Sequence, residues 1–320
     1  MKLSKKNTKV FVTSVSFSKN EILKKKLLSK YPNTSFNKLG RRLTSEELIY
    51  YARNCEKLII ALDKIDEKIL SKLPNLKVIS KYGVGIDNIK LNSLRKFNIK
   101  LGWTRGVNKE AVAELTMGLI LMLNRRILQN KITLSSVKNH QLKIARELSN
   151  CTIGIIGVGS IGSEILKKLK NFKCKIYLND IRKLKFKDND LKITNLKNLL
   201  SKSDIITIHT PLSKNTENLI NANNMKLLKK DAILINCARG GIVNENDLYK
   251  FLKNNKHSYA AFDVFKIEPP INNPLLKLKN FFSTSHIGGS TYESINLMGE
   301  AAIKGLDQFT SIDTLKKFGY

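Results

Sequence analysis

The chain has no apolar run long enough to cross a bilayer: its densest, Leu119 to Leu123, falls far short of the roughly 20 residues a membrane helix needs. The amino terminus, MKLSKKNTKV, carries charge with no apolar segment behind it, so no targeting leader is expected. Cysteine is scarce. Cys55, Cys151, Cys174 and Cys237 form no CxxC pair, and three of them lie in apolar strand-like segments, where a thiol is usually a small core group. No metal site is expected, and a reduced cytoplasmic setting follows. Acidic residues are few as well, with 26 Asp and Glu against 57 Lys and Arg and a net charge of +31. That balance would suit nucleic acid, an acidic membrane surface or anionic substrates. Here the excess is nearly all lysine, spread along the chain with no basic tail, aromatic-interleaved stripe or arginine-rich helix. It reads as a solvated surface that steers small anions, and neither a nucleic-acid nor a membrane partner is expected. Repeats and low-complexity tracts are missing too.

At 320 residues and 42% hydrophobic, the chain has room for two domains with real cores. KVFVT (9–13), KLIIA (57–61) and LKVIS (76–80) read as strands, with helical spacing near 19–30, 44–52 and 66–73. A second α/β unit begins at CTIGIIG (151–157). It continues through CKIYLND (174–180), DIITIHT (204–210), AILINCA (232–238), YAAFDVF (259–265) and FFSTSH (281–286). Strands alternating with helices imply mostly parallel sheets with right-handed crossovers. Between the units, EAVAELTMGLILMLNRR (110–126) is apolar around most of its circumference and should be a helix buried by more than one neighbour. The last helix, after residue 290, is available to fold back onto the first lobe.

Gly157-Val-Gly-Ser-Ile-Gly162 is a GxGxxG motif that follows an expected strand and opens an expected helix, with Asp180 about twenty residues on at the end of the next strand. Gly157 allows the tight turn, Gly159 the approach of a pyrophosphate to the helix N-terminus, and Gly162 close helix-to-strand packing. Asp180 would accept from the adenosine ribose hydroxyls and repel a 2′-phosphate, which favours NAD over NADP; Arg182 stands close enough to blur that preference. In open sheets chemistry lies beyond the carboxyl ends of strands, where Arg239, His209, Glu268 and His286 all fall.

Together GVGSIG, HTPL (209–212), NCARGGIVNENDL (236–248), AFDVFKIEPP (261–270) and SHIGGST (285–291) resemble the NAD-dependent D-isomer-specific 2-hydroxyacid dehydrogenases, and within them the D-3-phosphoglycerate dehydrogenases. The resemblance implies an α/β fold of two Rossmann-like or flavodoxin-like domains with parallel sheets and an interdomain cleft. It places a substrate domain at 1–102 plus 288–320 and an NAD-binding Rossmann domain at 103–287. It implies a homodimer joined largely through the cofactor domains, and Arg239, Glu268 and His286 as the catalytic residues. The cofactor contacts it implies are Gly157, Gly159, Ser160, Ile161, Gly162, Asp180, His209, Thr210, Pro211, Cys237, Ala238 and Asp263. For substrate it implies Lys81, Tyr82, Gly83, Val84, Gly85 and Asn108, with backbone amides around Gly83 to Gly85 receiving a carboxylate. Lys81 occupies the place of an arginine often directed at the phosphate of phosphoglycerate. Arg105 stands where the family usually has proline. Because the chain ends soon after His286, the regulatory domain of longer phosphoglycerate dehydrogenases is not expected, and Glu268 speaks against the formate dehydrogenase branch, which carries glutamine there.

The chemistry requires these residue types independently of the resemblance. Reduction of a 2-oxo acid delivers hydride to C2 while a proton reaches the developing alkoxide, and a histidine supplies that proton near neutral pH. A carboxylate beside it favours the imidazolium and fixes the ring. The always-charged planar fork of Arg239 can hold the substrate carboxylate and polarise the carbonyl, with Gly240 and Gly241 allowing a tight turn beneath it. His140 and His257 belong to no constellation and read as surface residues. The main reading is hydride transfer between NAD(H) and C2 of a D-2-hydroxy or 2-oxo acid, with the 3-phosphoglycerate pair among the candidate substrates. A glyoxylate or hydroxypyruvate reductase is the alternative. A cofactor-sensing binding protein or corepressor is the reading from a different class.

Overall fold

The computed structural model describes residues 5–130, 144–184 and 191–316. The chain divides into two units, Met1–Asn108 with Gly289–Tyr320, and Lys109–Gly288. Of the two isolated histidines, His257 is exposed, and His140 lies outside the described residues.

In the first unit, β1 (Val10–Val12), β2 (Thr34–Phe36), β3 (Lys57–Ile60), β4 (Val78–Lys81) and β5 (Lys100–Gly102) form an all-parallel sheet in the order β2-β1-β3-β4-β5, the flavodoxin-like order. Alternation along each strand divides its side chains between two cores. Phe11, Leu58, Ile60 and Ile79 face one, while Val10, Val12 and Ile59 face the other. The second core is closed by helix Tyr292–Gly305, which returns from the far end of the sequence to pack on β4, β5 and helix Glu21–Lys30. Its approach is close enough that a Cβ on Gly102 would lie 2.0 Å from the Gly305 carbonyl oxygen. The helix expected over 19–30 is two helices, Val15–Lys19 and Glu21–Lys30, because Asn20 ends the first and its side chain caps the second by accepting from Leu23 N at 3.0 Å. The expected helix at 66–73 is a single turn, Glu67–Leu70, capped by Asp66.

The second unit holds a seven-stranded parallel sheet of β6 (Thr152–Ile156), β7 (Lys175–Asn179), β8 (Leu191–Ile193), β9 (Ile205–Ile208), β10 (Ile233–Asn236), β11 (Tyr259–Phe262) and β12 (Phe281–Ser283). Its order, β12-β11-β10-β9-β6-β7-β8, is the doubly wound dinucleotide-binding arrangement, and it reverses between β6 and β9. Helix Lys109–Asn124 buries Val112, Ala113, Met117, Ile120 and Leu123 and packs against helix Ser160–Lys170, β10 and β11, which accounts for its apolar circumference. Three strands escaped the periodicity reading: β2, β5 and β8. Each is a three-residue edge strand whose apolar run is broken by polar residues or glycine (TSF, KLG and LKI), unlike the equally short VFV of β1.

Candidate active site

At the switch point the first glycine of the motif has φ +89, and a Cβ there would lie 2.7 Å from the backbone of His209. A Cβ on Gly162 would lie 2.1 Å from the Gly157 carbonyl oxygen. Both positions therefore require glycine. Gly159 is the N-cap of helix Ser160–Lys170 and offers no side chain to its first amides, which leaves the helix end shaped for an anion. On the facing strand end, His209 Nδ1 and Thr210 Oγ1 are buried with no hydrogen-bond partner, although His209 Nε2 lies 2.7 Å from Thr207 Oγ1. Glycine contacts and unpartnered polar atoms thus fit a dinucleotide, with Gly157, Gly159, Ser160, Ile161, Gly162, His209, Thr210 and Pro211 grouped beyond β6 and β9. Asp180, beyond β7, accepts from Val158 N at 2.7 Å and from Arg182 Nε and Nη2 at 2.9 and 2.8 Å, while Arg182 Nη2 also reaches the Val158 carbonyl at 2.8 Å. Burial works against its charge, but the hydrogen bonds from Arg182 and Val158 win and hold the Asp180 carboxyl below the usual carboxylate range.

Beyond β10, β11 and β12 stand the three residues of the expected chemistry. The wholly buried Asn236 shapes the turn to Arg239: its Nδ2 donates to the Arg239 carbonyl at 2.9 Å and its Oδ1 accepts from Ala238 N at 3.1 Å. Gly240 then passes so near the next loop that a Cβ would lie 1.9 Å from the Phe265 carbonyl carbon, and Gly241 takes φ +82. The glycines beneath Arg239 serve close approach and turn respectively. In that next loop Glu268 accepts from Phe265 N at 3.1 Å through Oε1 and meets His286 Nδ1 at 2.8 Å through Oε2, both side chains being partly exposed. His286 itself has φ 59, a left-handed conformation that costs a non-glycine residue about 1 to 3 kcal/mol. Buried Asp263 offsets that cost by accepting from Thr284 Oγ1, Ile287 N and Gly288 N at 2.5, 2.7 and 2.8 Å. Its two oxygens hold the His286 loop. Cys237 is buried, with its thiol pushed up to about 12 by burial, so it stays protonated and is no nucleophile.

In the first unit, Lys81 ends β4 and begins the glycine-rich loop. The structure places its ammonium on the Ala61 carbonyl and on Asn88 Oδ1, the latter at 2.8 Å, with the residue only 3% exposed. These bonds join the start of the loop to its end and to the residue after β3. Tyr82 is buried and its hydroxyl lies 2.8 Å from Ser16 Oγ. Gly83 has φ +120. Asn108, at the edge of the unit, is buried with Oδ1 unpartnered, and Arg105 is exposed.

The family model for the NAD-binding domain of D-isomer-specific 2-hydroxyacid dehydrogenases matches residues 117–288, over half of the chain. The chain belongs to this family. A glyoxylate reductase of Thermofilum pendens is 40% identical over 271 residues, covering 82% of this chain and 80% of that one. A D-3-phosphoglycerate dehydrogenase of Methanocaldococcus jannaschii is 36% identical and covers 80% of this chain, which spans only 50% of that longer protein. A D-lactate dehydrogenase structure from Aquifex aeolicus, complexed with NAD and lactic acid, superposes with a TM-score of 0.82 at 27% identity, covering 93% of each chain. The reaction class is therefore NAD-dependent oxidoreduction of D-2-hydroxy acids, on an α/β fold with two parallel sheets.

In this dehydrogenase, several supporting residues are not singled out by the sequence reading: Asn236 and Glu245, which lie within the 236–248 motif, and Asn88, the partner of Lys81. Glu245 Oε1 and Oε2 each accept at 2.7 Å, from Lys266 N and Asn273 Nδ2, and so brace the loop bearing Glu268. His209 is singled out by that reading, and its setting makes a stability prediction. Burial lowers its pKa from 6.5 to about 3, so the folded protein holds it neutral while the unfolded chain protonates below 6.5. Stability is full above pH 6.5 and falls as pH drops through the window down to 3, by on the order of 1 kcal/mol per unit. Urea unfolding at pH 7 and pH 5 should show this loss, and His209→Gln should flatten it; an unchanged slope in the variant would remove His209 as the cause.

Proposed function

We propose that this dehydrogenase transfers hydride between NAD(H) and C2 of a short, unphosphorylated D-2-hydroxy or 2-oxo acid. The observation that carries the reading is the His286 Nδ1 to Glu268 Oε2 contact of 2.8 Å on loops following β12 and β11. Bound NADH supplies the hydride. His286, oriented through Nδ1, gives the proton from its other ring nitrogen to the developing alkoxide, and Arg239 pairs with the substrate carboxylate through its guanidinium fork. The backbone amides around Gly83 to Gly85 are proposed to receive an acid carboxylate, as the resemblance implies. Lys81 is buried and hydrogen-bonded to the Ala61 carbonyl and Asn88, which favours glyoxylate or hydroxypyruvate over 3-phosphohydroxypyruvate. The similarity to a glyoxylate reductase across 80% of its length agrees with this. The enzyme works in the cytoplasm, a setting that suits four free, buried cysteines, and as the homodimer its family resemblance implies, which sedimentation can measure.

NADH oxidation with glyoxylate, hydroxypyruvate, pyruvate, 2-oxoglutarate and 3-phosphohydroxypyruvate tests the substrate. The highest kcat/KM should fall on glyoxylate or hydroxypyruvate. A phosphorylated substrate turned over best would overturn the choice of acid, and silence throughout with intact NADH binding would favour the sensor reading. Cofactor choice gives a second expected outcome. NADH should bind more tightly than NADPH, and Asp180→Ala should narrow the gap, because the variant loses a ribose acceptor and releases Arg182 toward a 2′-phosphate. Equal weakening of both cofactors would contradict the assignment.

A further inference from the structure

We infer that Trp103 is a positioning residue that sets which way the amides of the Gly83–Val84–Gly85 loop face; the inference rests on the loop's proposed role as carboxylate receiver. Trp103 is the only tryptophan of the chain. It directly follows β5, whose Gly102 pairs with Ser80 of β4, the strand from which the loop issues. Its ring is 8% exposed, packed in the core that contains Ile79, Ile86 and Leu101. Its own carbonyl accepts from Thr310 Oγ1 at 2.9 Å, so the residue is held from behind as well. From this fixed position Nε1 donates to the Val84 carbonyl at 2.8 Å.

An indole N–H can only donate, so it selects one orientation of the Val84–Gly85 peptide: carbonyl toward the indole. Because a trans peptide is planar with its C=O and N–H opposed, the Gly85 N–H then points away from the indole. That peptide turns about Val84 ψ and Gly85 φ, and Gly85 has no Cβ to restrict the second of these. Lys81 and Asn88 close the ends of the loop through their 2.8 Å hydrogen bond. Trp103 holds the Val84 carbonyl in its middle.

Replacing Trp103 with β-(3-benzothienyl)alanine keeps the ring size and puts sulfur where the N–H was; Trp103→Phe is the second variant. In the ligand-free enzyme, amide hydrogen exchange over residues 82–88 should quicken. The KM for glyoxylate should rise about 2- to 10-fold with kcat unchanged, the effect of one lost hydrogen bond acting equally on ground and transition states. The Kd for NADH, followed by nicotinamide fluorescence, should stay as in the parent. Unchanged exchange in the isostere overturns the inference whatever KM does. Faster exchange with an unchanged KM also overturns it, and does so by showing that the loop does not receive the acid, whereas Arg239 and His286 would keep their roles.

Discussion

Replacing His286 with alanine is expected to lower kcat for 2-oxo acid reduction by about 10²- to 10⁴-fold, the usual contribution of a positioned acid. The Kd for NADH should barely move, because the residues grouped around the GxGxxG turn are untouched. Glu268→Gln should cost less: with its one oxygen accepting from Phe265 N, glutamine can donate its NH2 to His286 Nδ1 and still orient the ring, but it cannot accept from an Nδ1–H. Asp263→Asn separates loop geometry from chemistry. Asparagine has one acceptor oxygen where Asp263 uses two, so with it on Ile287 N–H its NH2 faces the Gly288 N–H, the left-handed turn at His286 loosens and kcat falls although both reacting groups remain. If His286→Ala retained parental kcat, the proton would come from elsewhere and the Glu268 contact would be structural only.

Arg239→Lys should lower kcat/KM by about 10- to 100-fold, and Arg239→Ala by more. Lysine keeps the charge and loses the planar fork, so the comparison isolates bidentate geometry from attraction. The magnitude follows from a charge-assisted hydrogen bond worth about 1.5 to 3 kcal/mol. The Asn236 side chain and the backbone approach at Gly240 fix where the residue starts, so the lysine variant presents its shorter donor set from the same Cα. Full activity in Arg239→Lys would mean that the position supplies only charge.

Much of this site was legible in the chain because backbone geometry leaves few alternatives. Gly157 and Gly162 are demanded by contacts under 3 Å, and the order of Arg, Glu and His follows from successive strand ends of one parallel sheet. Short continuous apolar runs located the central strands, whose two faces are both buried. That signal failed at β2, β5 and β8, where polar residues or glycine break a three-residue edge strand. The sequence reading failed at Asn20 too, where a polar residue within helical spacing is at once the end of one helix and the cap of another. The place of Lys81 before the glycine-rich loop is legible in the sequence, but its hydrogen bonds to Ala61 and Asn88 are set by how the end of β3 and the loop meet in space. Likewise Arg182 was close to Asp180 in sequence, but only the folded turn shows it on both carboxylate oxygens.

Hydride transfer itself can be followed by supplying NADH deuterated at both C4 positions of the nicotinamide together with hydroxypyruvate, and analysing the product by mass spectrometry and chiral separation. One deuterium at C2 of D-glycerate is the expected result, with its rate of appearance reduced in step with kcat in His286→Ala. Label-free glycerate, the L enantiomer, or no 2-hydroxy acid product from any tested 2-oxo acid despite tight NADH binding, would contradict the assignment.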